Sequence, residues 1–81
     1  VKKQVQVRYF AILREQSGIN QEAVVTESLL AKDLYEELSK KYKFSLEADR
    51  IRAAVNDEFV SMQYVLQNKD TVVFLPPVAG G

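Results

Sequence analysis

The chain contains no cysteine, no histidine and no tryptophan. Without cysteine there is no disulfide framework, no thiol nucleophile and no thiolate metal ligand, and without histidine there is no imidazole base. The metal content expected from these absences is none. An excess of charge of one sign is also missing. Eleven basic and 11 acidic residues give a formal net charge of zero, so neither nucleic acid nor an anionic membrane surface is an expected partner. No apolar run approaches the ~20 residues of a membrane span. Val1-Lys2-Lys3 is basic, but Gln4, Gln6 and Arg8 interrupt the apolar stretch that a signal peptide needs. The expected setting is therefore the cytoplasm, and a start at Val1 rather than methionine suggests processing or trimming.

What is present is globular in composition, with 47% hydrophobic and 27% charged residues. Eighty-one residues make one small domain. A chain of that size buries only about 60% of the surface it exposes when unfolded, so its core is modest.

Val5-Gln6-Val7-Arg8-Tyr9 alternates apolar and polar residues, the period of a half-buried strand. Phe10 breaks the pattern by falling on the polar face. Ala11 to Gln16 suits a short helical turn that Ser17-Gly18 ends. Glu22 to Thr26 reads as a second strand. Leu30, Leu34, Leu38 and Tyr42 then recur every four residues, the mark of a helix, with Thr26 or Ser28 as candidate caps. Lys40, Lys41 and Lys43 crowd its end, where they suit the helix dipole. Lys43 to Asp49 reads as a loop and Ile51 to Val55 as a third strand. Asn56-Asp57 is a tight-turn signal before Glu58-Phe59-Val60. A turn at Asn68-Lys69-Asp70 introduces the last strand, Thr71 to Leu75. The order β-β-α-β-β-β predicts an α+β domain with one main helix on one face of a mixed sheet of about five strands. Val5, Val7, Tyr9, Leu34, Leu38, Val55, Val72 and Phe74 form its expected core.

Side chains offer little chemistry. Glu36 and Glu37 are adjacent on a helix and point about 100° apart, so they read as solvated surface rather than an acid–base pair. Tyr9, Tyr35, Tyr42 and Tyr64 lack an evident base partner and read as core or rim. Gly80-Gly81 follows a strand but opens no helix, so it is no phosphate cradle. One reactive group is left, the α-carboxylate of Gly81, which becomes an electrophile once activated as an acyl-adenylate. The residues before it fit that use. Gly80 and Gly81 lack Cβ atoms and can thread a narrow channel. Pro76 and Pro77 favour extended geometry and hold the tail off the domain. The run from Pro76 to Gly81 can span up to about 20 Å. Strand parity leaves Phe10, Phe59 and Leu75 without places in the core. With Arg14 beside them, they are a candidate docking patch at the base of the tail.

Three stretches carry a family resemblance. They are Val7-Arg8-Tyr9-Phe10-Ala11 with Arg14-Glu15, Ala53 to Val60, and Lys69-Asp70-Thr71-Val72 leading to Phe74-Leu75-Pro76-Pro77-Val78-Ala79-Gly80-Gly81. In these the chain resembles the small, sulfur-carrying subunit of molybdopterin synthase, of the ubiquitin-like β-grasp class. Lys69 stands where that family commonly has glycine, and Ala79 where it often has serine or threonine. The resemblance implies a β-grasp domain over residues 1–75 and an extended tail over 76–81. It implies that an E1-like adenylyltransferase spends ATP to adenylylate Gly81, and that sulfur then replaces AMP to leave a C-terminal thiocarboxylate. The chain would hold no permanent cofactor and be no enzyme on its own. Its tail, Pro76, Pro77, Val78, Ala79, Gly80 and Gly81, would enter the large synthase subunit in a heterotetramer of two small and two large chains. There the sulfur would pass to cyclic pyranopterin monophosphate. Phe10, Arg14, Phe59 and Leu75 would bind partners. Sulfur delivery to thiamine synthesis or tRNA thiolation, a protein modifier joined through Gly81 to lysines, and a plain interaction domain stay open as alternatives.

Overall fold

A computed structural model describes residues 2–77. Val1 and the predicted tail residues Val78, Ala79, Gly80 and Gly81 lie outside the described residues.

The first alternating segment forms β1 (Lys3–Tyr9), with Val5, Val7 and Tyr9 buried on one side. Phe10 is still extended, but Ala11 takes a left-handed φ of 52° and turns the chain into α1 (Ala11–Ser17). Gly18 ends α1 at φ 79°, donating its N–H to the Arg14 carbonyl, the conformation that glycine adopts without a Cβ penalty. Strand β2 (Gln21–Thr26) returns antiparallel along β1.

Helix α2 (Ala31–Tyr42) buries Ala31, Leu34, Tyr35 and Leu38. The predicted caps are not the caps. Neither Thr26 nor Ser28 holds the helix N-terminus; both hydroxyls donate instead to Oε1 of Glu37, at 2.6 and 2.9 Å. The helix begins one residue after Leu30, whose N–H donates back to the Asp33 carboxylate at 3.2 Å. Leu30 therefore precedes the helix rather than belonging to its stripe. Glu36 and Glu37 are both exposed, although Glu37 ties α2 to the strand before it. Lys43 closes the helix at φ 60°.

The stretch read as a loop, Lys43 to Asp49, is partly structured. Ala48–Arg50 is a 3₁₀ turn, and Phe44 is buried between Tyr35, with rings 5.6 Å apart, and Tyr9, at 5.9 Å. Strands β3 (Arg52–Val55) and β4 (Glu58–Val60) form a hairpin. Asn56 and Asp57 both sit at positive φ, 52° and 73°, the left-handed pair that matches the twist of two-residue hairpins. Lys69 also takes a positive φ, 73°. The chain departs from its resembling family's glycine there without losing the turn. Strand β5 (Thr71–Leu75) follows.

The sheet order is β2-β1-β5-β3-β4, with β1 and β5 parallel and every other pair antiparallel. Every residue of the expected core is buried. Leu13, Ile51, Ala53 and Leu66 join them, and Val60 packs at the margin.

Candidate functional site

Strand β5 runs down the middle of the sheet, so whatever follows Leu75 leaves from its centre. Leu75 is the last paired residue, opposite Arg52. Pro76 and Pro77 have no N–H to donate, which ends the ladder chemically. Pro76 is half-buried and Pro77 exposed.

The start of β5 is held by Asp70. This carboxylate is 5% exposed and accepts from Asn56 Nδ2 at 3.0 Å, the Tyr64 hydroxyl at 3.1 Å and the Gln67 N–H at 2.8 Å. Asn56 Oδ1 in turn accepts from the Thr71 N–H at 3.0 Å. A second carboxylate, Glu22, closes the other end of the core. Its Oε2 accepts from the hydroxyls of Tyr9 at 2.6 Å and Tyr42 at 2.7 Å. Burial, and then the Glu22 hydrogen bond and charge, push the Tyr9 phenol far above the ordinary tyrosine range. Three of the four tyrosines thus have carboxylate partners that their sequence spacing did not reveal. Burial first, and then these partners, hold the phenols protonated, which makes them fastenings rather than reactive groups. Tyr35 and Tyr9 are core; Tyr42 and Tyr64 are half-buried.

The face of the sheet turned away from α2 carries the candidate patch. Arg8, Val73, Ala54 and Phe59 are successive partners along one row across four strands. Phe59 is 73% exposed, Phe10 is 38% exposed, and Arg14 is exposed on α1. Leu75 is only half-buried rather than fully exposed, because a central strand gives it neighbours on both sides. The structure brings Phe10, Arg14 and Leu75 to the same end of the sheet. Phe59 lies two strands from β5, about 10 Å at the usual strand spacing. Ala54 and Val73 join it to the rest, two residues that sequence alone did not nominate because their alignment depends on pairing register. Arg8 and Arg52 also border this face. Among the described residues no group of three or more potential metal-binding side chains occurs, and no helix is long and apolar enough to cross a membrane.

The ThiS family profile matches residues 7–81. The chain belongs to the ThiS family. It is 32% identical to the molybdopterin synthase sulfur carrier subunit of Escherichia coli strain K12, over 95% of this chain and 99% of that one. Among solved structures, a candidate molybdopterin converting factor, subunit 1, from Pyrococcus furiosus superposes with a TM-score of 0.73 at 32% identity, covering 94% of this chain and 99% of that one. A chain of the complex of subunits 1 and 2 of molybdopterin-converting factor from Helicobacter pylori 26695 superposes with a TM-score of 0.62 at 26% identity, covering 96% and 99%. The fold of this ThiS-family chain is thus the ubiquitin-like β-grasp, with the short helix α1 between β1 and β2.

Proposed function

We propose that this chain is a sulfur carrier for molybdenum cofactor biosynthesis, the small subunit of a molybdopterin synthase. The observation that carries the reading is the nearly full-length match to a curated sulfur carrier subunit of that enzyme. The chemistry of the chain supports it. There is no cysteine or histidine to act as nucleophile or base, and a Pro-Pro followed by Val78-Ala79-Gly80-Gly81 continues from a central strand.

In this reading the Gly81 carboxylate attacks the α-phosphate of ATP on an E1-like activating enzyme, giving an acyl-adenylate and pyrophosphate. The terminal sulfur of a donor's persulfide attacks the acyl carbon and AMP leaves, giving an acyl disulfide. A second thiol then attacks the donor's sulfur, so that the donor ends as a disulfide and the thiocarboxylate is freed. The tail then enters the large synthase subunit, which holds the pterin and the catalytic side chains in a complex of two small and two large chains. The thiocarboxylate sulfur bonds to cyclic pyranopterin monophosphate, and water hydrolyses the acyl C–S bond, so sulfur stays on the pterin and Gly81 returns as a carboxylate. ATP is spent on the activating enzyme, and the only group this chain bears is the sulfur at Gly81.

The test is the intact mass after incubation with ATP, the activating enzyme and a sulfur donor. Replacement of one oxygen by sulfur, lost again on adding the large subunit and cyclic pyranopterin monophosphate, is the expected result. A chain extended by one residue past Gly81 stays unloaded. Normal loading of that extended chain, or a ladder of isopeptide conjugates in place of the sulfur, overturns the reading.

A further inference from the structure

The outer sheet face has an uneven charge pattern for a chain of zero net charge. By strand pairing, the charged side chains on that face are Arg8 and Arg52, and no carboxylate shares it. The turn at Ala11 adds a third arginine. Because Phe10 is the residue from which α1 springs, its carbonyl accepts from the N–H groups of Leu13 and Arg14. One helical turn thus brings Arg14 to the cleft that Phe10 lines. From the other side the Arg8 guanidinium lies over the Phe10 ring, 5.7 Å from its centroid. The Tyr9 N–H donates to the Asn20 carbonyl at 2.9 Å and brings the neutral residues Asn20 and Gln21 to the rim. The result is an open cleft of about 330 Å³ lined by Arg8, Tyr9, Phe10, Arg14, Asn20 and Gln21.

Among the described residues neither arginine has an acidic partner. Among the described residues the one ion pair joins Lys41 to Glu22, at 3.8 Å on the inner side of the sheet. Glu15, next to Arg14 in sequence, pairs with neither. A guanidinium held over an aromatic ring is already oriented, so less freedom is lost when it binds a planar anion. A carboxylate matches its fork with two parallel hydrogen bonds. The apolar surface of Phe10 beside the cleft excludes water once covered, which strengthens the charge interaction.

We propose that Arg8 and Arg14 clamp a single aspartate or glutamate at the rim of an apolar socket on the partner protein, with Phe10 seated in that socket. This rests on the carrier reading and adds to it which chemistry the partner must present. Docking is then a hydrophobic contact fixed in register by one doubly held carboxylate, and Arg8 is a specificity-determining residue.

The experiment titrates the full chain calorimetrically against the large synthase subunit and, separately, against the activating enzyme. It compares wild type, Arg8→Gln, Arg14→Gln, the double variant and Arg8→Lys, each checked for native circular dichroism. Each glutamine variant is expected to weaken binding to the large subunit about tenfold. The double variant should lose less than the product of the two, because both arginines hold one group. Arg8→Lys should fall between wild type and Arg8→Gln, since it restores charge without the fork. Raising salt should narrow the gap between wild type and variants. If wild type binds the large subunit and both glutamine variants bind as tightly, the clamp is wrong and the carrier reading stands. If wild type binds only the activating enzyme, with the same dependence on both arginines, the clamp stands and the synthase assignment falls. If it binds neither protein, both fall.

Discussion

Removing the Asp70 carboxylate should do more damage than its position in a turn suggests. The perturbation is Asp70→Ala. The native carboxylate is 5% exposed and accepts three hydrogen bonds, from Asn56, Tyr64 and Gln67. A hydrogen bond to a charged group contributes ~1.5–3 kcal/mol. Three would sum to well above 4 kcal/mol, but Asn56 and Gln67 are exposed residues, and water takes over part of their donors once the carboxylate is gone. A net loss of about 3 kcal/mol follows. For 81 residues the total stability is ~4–12 kcal/mol, so the loss is a large share of it. The corresponding fall in Tm is roughly 12–24 °C. Asp70→Asn is a sharper test. Its amide oxygen can serve Tyr64 and Gln67, but its amide nitrogen then faces the donor of Asn56. Two donors meet, and the cost is about 2 kcal/mol. Urea unfolding at constant m-value measures both, and a double-mutant cycle with Asn56→Ala should give a coupling of about 1 kcal/mol. The consequence reaches β5, because Asn56 also accepts from Thr71 and the Asp70 carbonyl accepts from the Gln6 N–H at 2.9 Å. If Asp70→Ala unfolds within about 1 kcal/mol of wild type, this carboxylate is not what fastens the last strand to the sheet.

Three further outcomes are expected. Leu38→Ala should cost ~2–5 kcal/mol in urea unfolding, because Leu38 is 1% exposed on the face of α2 against the sheet; a loss under about 1 kcal/mol would mean the helix face is misplaced. Phe59→Ala should leave stability nearly unchanged, since the ring is 73% exposed, yet weaken binding to the large subunit by ~1 kcal/mol or more if Phe59 is a docking anchor; equal affinity in titration calorimetry removes it from the docking surface. Burial pushes the Tyr35 phenol from 10.0 up to about 12. Below the unfolded value the phenol is neutral in both states and its contribution is complete. Above it the unfolded chain ionises first, so stability falls as pH rises through the folded value. The urea midpoint of wild type should therefore drop more steeply between about pH 9 and pH 11.5 than that of Tyr35→Phe. Parallel declines in the two proteins would contradict the burial-driven shift.

Several elements of this protein were legible from local pattern. Successive side chains on a strand alternate faces, so Val5, Val7 and Tyr9, and likewise Val72 and Phe74, sort inward before any partner strand is known. The same parity puts Phe10 and Phe59 outside the core, and glycine at position 18 or Asn56-Asp57 marks a turn because left-handed backbone is a property of single residues. The run from Pro76 to Gly81, on which the proposed chemistry rests, is equally local, since two prolines and two glycines are covalent structure. What needed the tertiary fold was every choice between competing partners. Thr26 and Ser28 were good caps by type, but Glu37, 11 and nine residues on, offered a better acceptor once α2 packed on the sheet. Phe44 sat in a polar stretch and is buried because Tyr35, Tyr42 and Tyr9 converge on it. Arg8 looked like an ordinary polar-face residue until the turn at Ala11 brought Arg14 into the same cleft. The pairing of β1 with β5 joins the two ends of the chain, and it decides which side chains border the tail. Alternation is written residue by residue in covalent geometry, whereas register is a balance among strands far apart in sequence and is settled only when they close one shared core.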